Sequence, residues 1–217
     1  MFLLLVKQII LGLSIAAPIG PINIEIIRRG MYQGLWASLL VGAGGMSSDL
    51  ILMFLMYNGL SDFLTLNWIQ IILLIFGTLV LTYTGIHGIV HRSETIDDSS
   101  ESKDDRKKGL INSYLTGISI AAFNPLNILF WLGVYGSILS NSFQNENIIR
   151  AFYINSMIFI GIGLWNVTLA LSIHYSKIFL KPTSKMMTVI SLTASLVLLG
   201  FGFHFAYEAI SRLKILL

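Results

Sequence analysis

Hydrophobic residues run along this chain in long unbroken blocks and do not alternate with polar ones. Six blocks stand out, at about 2–27, 34–57, 68–90, 110–139, 149–175 and 186–209. About 20 apolar residues in a helix cross the ~30 Å hydrocarbon core of a bilayer, so each block is long enough to span, and the longer ones must tilt, bend or run past the lipid. The pattern predicts an all-α integral membrane protein with six transmembrane helices. It lacks the short alternating segments of an outer-membrane barrel. The first block has no basic region ahead of it, and its earliest cation, Lys7, lies inside the run. It reads as a retained first span, not a cleaved signal.

Composition sharpens this picture. Of the 217 residues, 55% are hydrophobic and only 12% charged, with a mean hydropathy of +0.78. A soluble domain carries about 25% charge, so a soluble enzyme is excluded, as are the disordered and collagen-like classes. There is no cysteine. Disulfides, thiolate metal sites and thiol relays are therefore ruled out. The net charge of +3 comes from bases placed in loops beside apolar blocks, the mark of membrane topology and not of nucleic-acid binding.

The sharpest break is the segment 92–109, RSETIDDSSESKDDRKKG, which holds six acids and five bases. It predicts a solvated linker between a first unit, 1–91, and a second, 110–217. With six spans, the connections after the first, third and fifth share a side carrying ten Lys and Arg, against four on the other. That bias places the linker 92–109 in the cytoplasm and both termini outside the cytoplasmic membrane.

The two units share a motif. Residues 12–24 read GLSIAAPIGPINI and residues 117–128 read GISIAAFNPLNI; with one deletion, ten of twelve aligned pairs are identical or Leu/Ile exchanges. The third and sixth spans echo each other more faintly, as LTYTGI (81–86) and FAYEAI (205–210). Three spans per unit is an odd number, so the second unit must enter the membrane from the opposite side. This predicts two inverted three-helix repeats, an architecture of secondary transporters with the substrate at the repeat interface. Along straight helices, Pro21 lies roughly 10 Å and Pro125 roughly 22 Å from the cytoplasmic side, on opposite sides of the bilayer centre.

The motif carries candidate chemistry. Pro18, Pro21 and Pro125 each remove a helix donor and crowd the carbonyl four residues back, and Gly20 between two prolines favours a true break. Such breaks in a span face protein or a water-filled cavity, where half-helix ends and freed carbonyls meet a zwitterion. Asn23 and Asn127 occupy equivalent positions and suit either a substrate or the broken backbone. Three acids fall within spans. Asp49, the deepest, follows the small-residue run GAGGMSSD (42–49) and is the candidate coupling or amine-binding group. Glu25, three residues before Arg28, either pairs with it or serves function. Glu208 is read as interfacial. Asn166 is the candidate counterpart of Asp49, by an alignment that needs a loop insertion. Scattered histidines lack metal-ligand spacing, so no metal site is expected. No phosphate loop or nucleophile elbow calls for a cofactor or an enzymatic activity.

The P-I-G-P of residues 18–21, an Arg28–Gly34 turn, the small-residue run ending at Asp49 and Asn124–Pro125 resemble the LysE/RhtB family of amino-acid exporters. The resemblance covers essentially the whole chain. It implies six-span inner-membrane proteins that expel amino acids, in exchange for protons or driven by the membrane potential. It also implies that Pro18, Gly20, Pro21, Asp49, Asn124 and Pro125 are motif positions. The chain departs from the family pattern at Leu126, where the second motif often continues with a lysine. The residues leave three other readings: a divalent-metal exporter, which needs clustered ligands; a thiol-relay membrane enzyme, which zero cysteines remove; and a non-transporting scaffold. Glycine-rich helix faces are compatible with a homodimer.

Overall fold

The computed structural model describes residues 2–57, 66–90, 103–124, 127–128, 131, 148–180 and 183–216. These form helices α1 (Phe2–Ala16), α2 (Pro21–Gln33), α3 (Leu35–Tyr57), α4 (Asn67–Val90), α5 (Lys103–Ala122), α6 (Ile148–Ser156), α7 (Ile158–Leu180) and α8 (Ser184–Leu216). The described residues contain no strand. Four helical segments are long and apolar enough to cross a membrane: Leu35–Met56, Asn67–Val90, Phe152–Phe179 and Thr188–Lys214. A fifth span is made if α1 and α2, which meet at 74°, count as one. Most of the latter half of the fourth expected span, 125–139, lies outside the described residues.

The structure redraws several sequence boundaries. The block 2–27 is not one straight helix: it breaks after Ala16, and α2 starts at Pro21 with Gly20 as its extended N-cap. Proline at the first position of a helix sacrifices only an N–H that has no intrahelical partner anyway. Depths measured along a straight first span therefore do not hold. The expected Arg28–Gly34 turn narrows to one residue, because α2 continues to Gln33 and Gly34 alone turns the chain at φ 88°, a conformation suited to glycine. Helix also extends into the charged segment 92–109. Helix α5 reaches back to Lys103, through a stretch whose lysines and arginine are good helix formers and which has no proline.

Helix packing follows from small residues. Buried Ile71, Leu74, Gly77, Leu81, Thr84, Gly85 and Gly88 form one stripe on α4, while exposed Phe76, Leu79, Tyr83 and Ile86 form the opposite face. The buried stripe meets α8, whose Leu198, Phe205 and Ala209 join Leu74 and Leu81 in one apolar core. The outward faces of both helices stay apolar, as a lipid-facing surface requires.

Two crossings bring backbones into direct contact. A Cβ built on Gly12 of α1 would fall 3.1 Å from Gly161 Cα of α7, and one on Gly161 would lie 2.1 Å from Ile9 O. A Cβ on Gly44 of α3 would lie 2.1 Å from Tyr114 O of α5, and one on Gly117 of α5 would lie 2.1 Å from Val41 O of α3. Gly12 and Gly117 are equivalent positions of the sequence motif. The glycine faces that raised a homodimer are thus largely engaged within the chain. Gly200 is one that is not, with nothing near its added Cβ.

Candidate functional site

The two breaks are built alike. In the first, Ile24 N donates to Gly20 O at 3.1 Å; in the second, Ile128 N donates to Asn124 O at 3.1 Å. The amide of Asn23 donates to Ala16 O and to Pro18 O, both at 2.8 Å. The amide of Asn127 donates to Ala121 O at 3.3 Å. Motif alignment pairs Gly20 with Asn124, Ile24 with Ile128, and Ala16 with Ala121, so each asparagine recaps the same carbonyl of its own broken helix. Asn127 does more, donating also to Asp49 Oδ1 at 2.6 Å.

Asp49 is buried on α3, 8% exposed. Besides Asn127, its Oδ1 accepts from the indole Nε1 of Trp131 at 3.1 Å. Hydrogen bonds to a charged acceptor are worth about 1.5–3 kcal/mol, and together they fix the carboxylate, with no cation paired to it among the described residues. Trp131 is 1% exposed, stacks on Phe159 and closes an apolar core with Met53, Ile158 and Ile162.

Both breaks and this carboxylate open on one cavity of about 130 Å³. Pro18, Gly20, Pro21 and Asn23 line it from the first break, Asn124 and Asn127 from the second, and Asp49 and Asn166 from α3 and α7. Ile15, Ile22, Met46 and Ile162 make the wall between them apolar. The mouth of α2 contributes the positive end of a helix dipole, and Gly20 leaves open space where a side chain would stand. A buried carboxylate and a helix N-terminus lining one cavity are complementary to the ammonium and carboxylate of a zwitterion.

Residues 13–209 match the family model for the LysE type translocator. The chain belongs to that family. This translocator is similar to the Putative amino acid efflux protein YcgF of Bacillus subtilis (strain 168), 38% identical over 208 residues that cover 95% of this chain and 97% of the relative. It is also similar to the Chemotactic transduction protein ChpE of Pseudomonas aeruginosa, 25% identical over 140 residues, 64% of this chain and 66% of the relative. No solved structure matches it significantly.

The remaining candidate residues of the translocator fall in different places. Glu25 does not line the cavity. It is fully buried and paired within α2: its Oε1 lies 2.6 Å from Arg28 Nη2 and 2.7 Å from Arg29 Nε, and its Oε2 accepts from Arg28 Nε at 2.7 Å. Arg29 continues across to α5, donating to Ser113 Oγ at 2.8 Å and Thr116 Oγ1 at 3.0 Å. Arg28 reaches the other way, its Nη1 lying 2.6 Å from where a Cβ on Gly88 of α4 would stand. Glu208 pairs with Arg212 at 2.8 Å, and Arg212 also donates to Gln70 of α4. Pro125 lies outside the described residues. Trp131 is a site residue that sequence reasoning missed. Its spacing from Asn127, four residues on and so on the same helix face, is the signal that points it at Asp49.

Proposed function

We propose that this translocator exports small amino acids across the cytoplasmic membrane, with the cavity between the two breaks as its substrate and coupling site. The observation that carries this is the convergence of both copies of the repeated motif, together with Asp49, on one cavity. In this reading Asp49 receives the substrate ammonium, or a coupled proton, while the first turn of α2 receives the carboxylate. Energy comes from proton exchange or from the membrane potential. The relative named as an amino acid efflux protein, matched over nearly its whole length, supports the substrate class.

The same reading takes the chain as two inverted three-helix repeats. Its support is internal. The crossing of Gly12 on Gly161 pairs with that of Gly117 on Gly44, which makes Gly44 the partner of Gly161; the same offset carries Asp49 onto Asn166 with no gap within the helices. Both side chains line the cavity. The excess of Lys and Arg in the connections puts the segment 92–109 in the cytoplasm and the termini outside.

The test is efflux from cells preloaded with amino acids as dipeptides, profiling internal and external pools together for wild type, Asp49→Asn and empty vector. The expected result is faster exit of one or a few amino acids with wild type alone, with Asp49→Asn inserted normally but inactive. A correctly inserted wild type whose profile equals that of empty vector overturns the reading.

A further inference from the structure

Gly42, Gly45 and Asp49 lie at positions i, i+3 and i+7, on one face of α3, and all three line the cavity. They form three rungs spread over about 10 Å. At the upper rung, the Asp49 carboxylate is held by Asn127 and Trp131. At the middle rung, the missing side chain of Gly45 admits Ile22 from the first turn of α2, 2.7 Å from where a Cβ would stand. At the lower rung, Gly42 admits Asn166, whose Cγ and Nδ2 lie 3.0 Å from the place of its Cβ. Asn166 is 7% exposed and lines the cavity, yet its carboxamide makes no hydrogen bond to a described residue. The amide atoms stay accessible from the cavity, so their donors and acceptor bond to whatever water or ligand fills it.

We infer that Asn166 is the specificity-determining residue of this site, and that it selects amino acids whose side chains hydrogen-bond. The inference rests on the export reading above. With the substrate ammonium at the Asp49 rung and its carboxylate at the first turn of α2, the group left to face the Asn166 rung is the side chain. An apolar side chain displaces the water the carboxamide would otherwise bond and leaves it unpaired; a hydroxyl or amide replaces that water and pairs with it. A site built to hydrogen-bond a substrate group rejects analogues lacking that group far better than an apolar pocket rejects an extra methylene. The apolar wall and modest volume restrict the side chain to a small one.

The experiment is competition among preloaded amino acids, comparing efflux of serine, threonine, asparagine and glutamine with that of alanine, valine and leucine. Wild type favours the hydrogen-bonding set, and Asn166→Leu shifts the ratio toward the apolar set by roughly tenfold, the worth of one buried hydrogen bond. Asn166→Asp, of nearly unchanged volume and still able to accept, keeps the preference for the hydrogen-bonding set, whereas Asn166→Ala, which removes the amide without adding bulk, loses it and decides the question should Asn166→Leu fail to reach the membrane. Amino-acid export with an identical rank order in wild type and in every inserted variant overturns the assignment of Asn166 and leaves the export reading standing. No amino-acid export by an inserted wild type overturns both.

Discussion

At the residue scale, the chain holds two buried acids in opposite ways. Asp49 is surrounded by neutral donors, so its charge stays available to whatever enters the cavity. Glu25 is held by two guanidinium groups and fully engaged. Removing one partner from a buried ion cluster leaves uncompensated charge and costs about 3–5 kcal/mol. Glu25→Gln is therefore expected to lower the unfolding midpoint of the detergent-purified protein sharply, while Asp49→Asn leaves it nearly unchanged; unfolding followed by circular dichroism separates them. The sequence placed Asp49 and both asparagines in the membrane, since a carboxylate or amide inside an apolar block is conspicuous. It left Glu25 open between pairing and function, because spacing to Arg28 is visible in a sequence and the reach of Arg29 to Ser113, 84 residues away, is not.

At the scale of elements, close crossings make the architecture. Helices α3 and α5 approach so closely at Gly44 that an added methyl meets a carbonyl oxygen at 2.1 Å, and neither backbone yields without separating the helices. Gly44→Ala is expected to destabilise by about 1–3 kcal/mol through overpacking. Gly200→Ala on α8, with open space around it, is expected to be neutral or slightly stabilising, since alanine favours a helix over glycine by about 1 kcal/mol. Thermal midpoints in one detergent check both. The kind of element was legible because long apolar blocks admit few solutions in a membrane; the number was not, since six expected spans stand against four candidate spans among the described residues, or five with the bent pair. Their ends were not either: the 74° bend between α1 and α2 depends on how α1 packs on α7 and α2 on α3 and α7, and the start of α5 at Lys103 lies beyond the apolar block that hydropathy detects.

At the scale of the whole molecule, the absence of native cysteine makes the proposed orientation directly testable. A single Ser99→Cys is expected to react with a membrane-impermeant maleimide only after cells are opened, and Phe2→Cys, at the start of α1, in intact cells; the reverse pattern inverts the topology. The bases behind this orientation do not all count equally. Arg28 and Arg29 are held inside the fold by Glu25, and without them the bias is eight against four, of unchanged sign. The pairing has a further consequence for biogenesis. Glu25 lies three and four residues from its partners on a single helix, so the acid is neutralised as soon as α2 winds, before α5 has left the ribosome. The segment then reaches the lipid as a nearly balanced unit carrying one surplus positive charge, and that surplus is what Ser113 and Thr116 receive when the later helix docks. Early helices can wait in the bilayer for late ones without an exposed carboxylate driving them back into water.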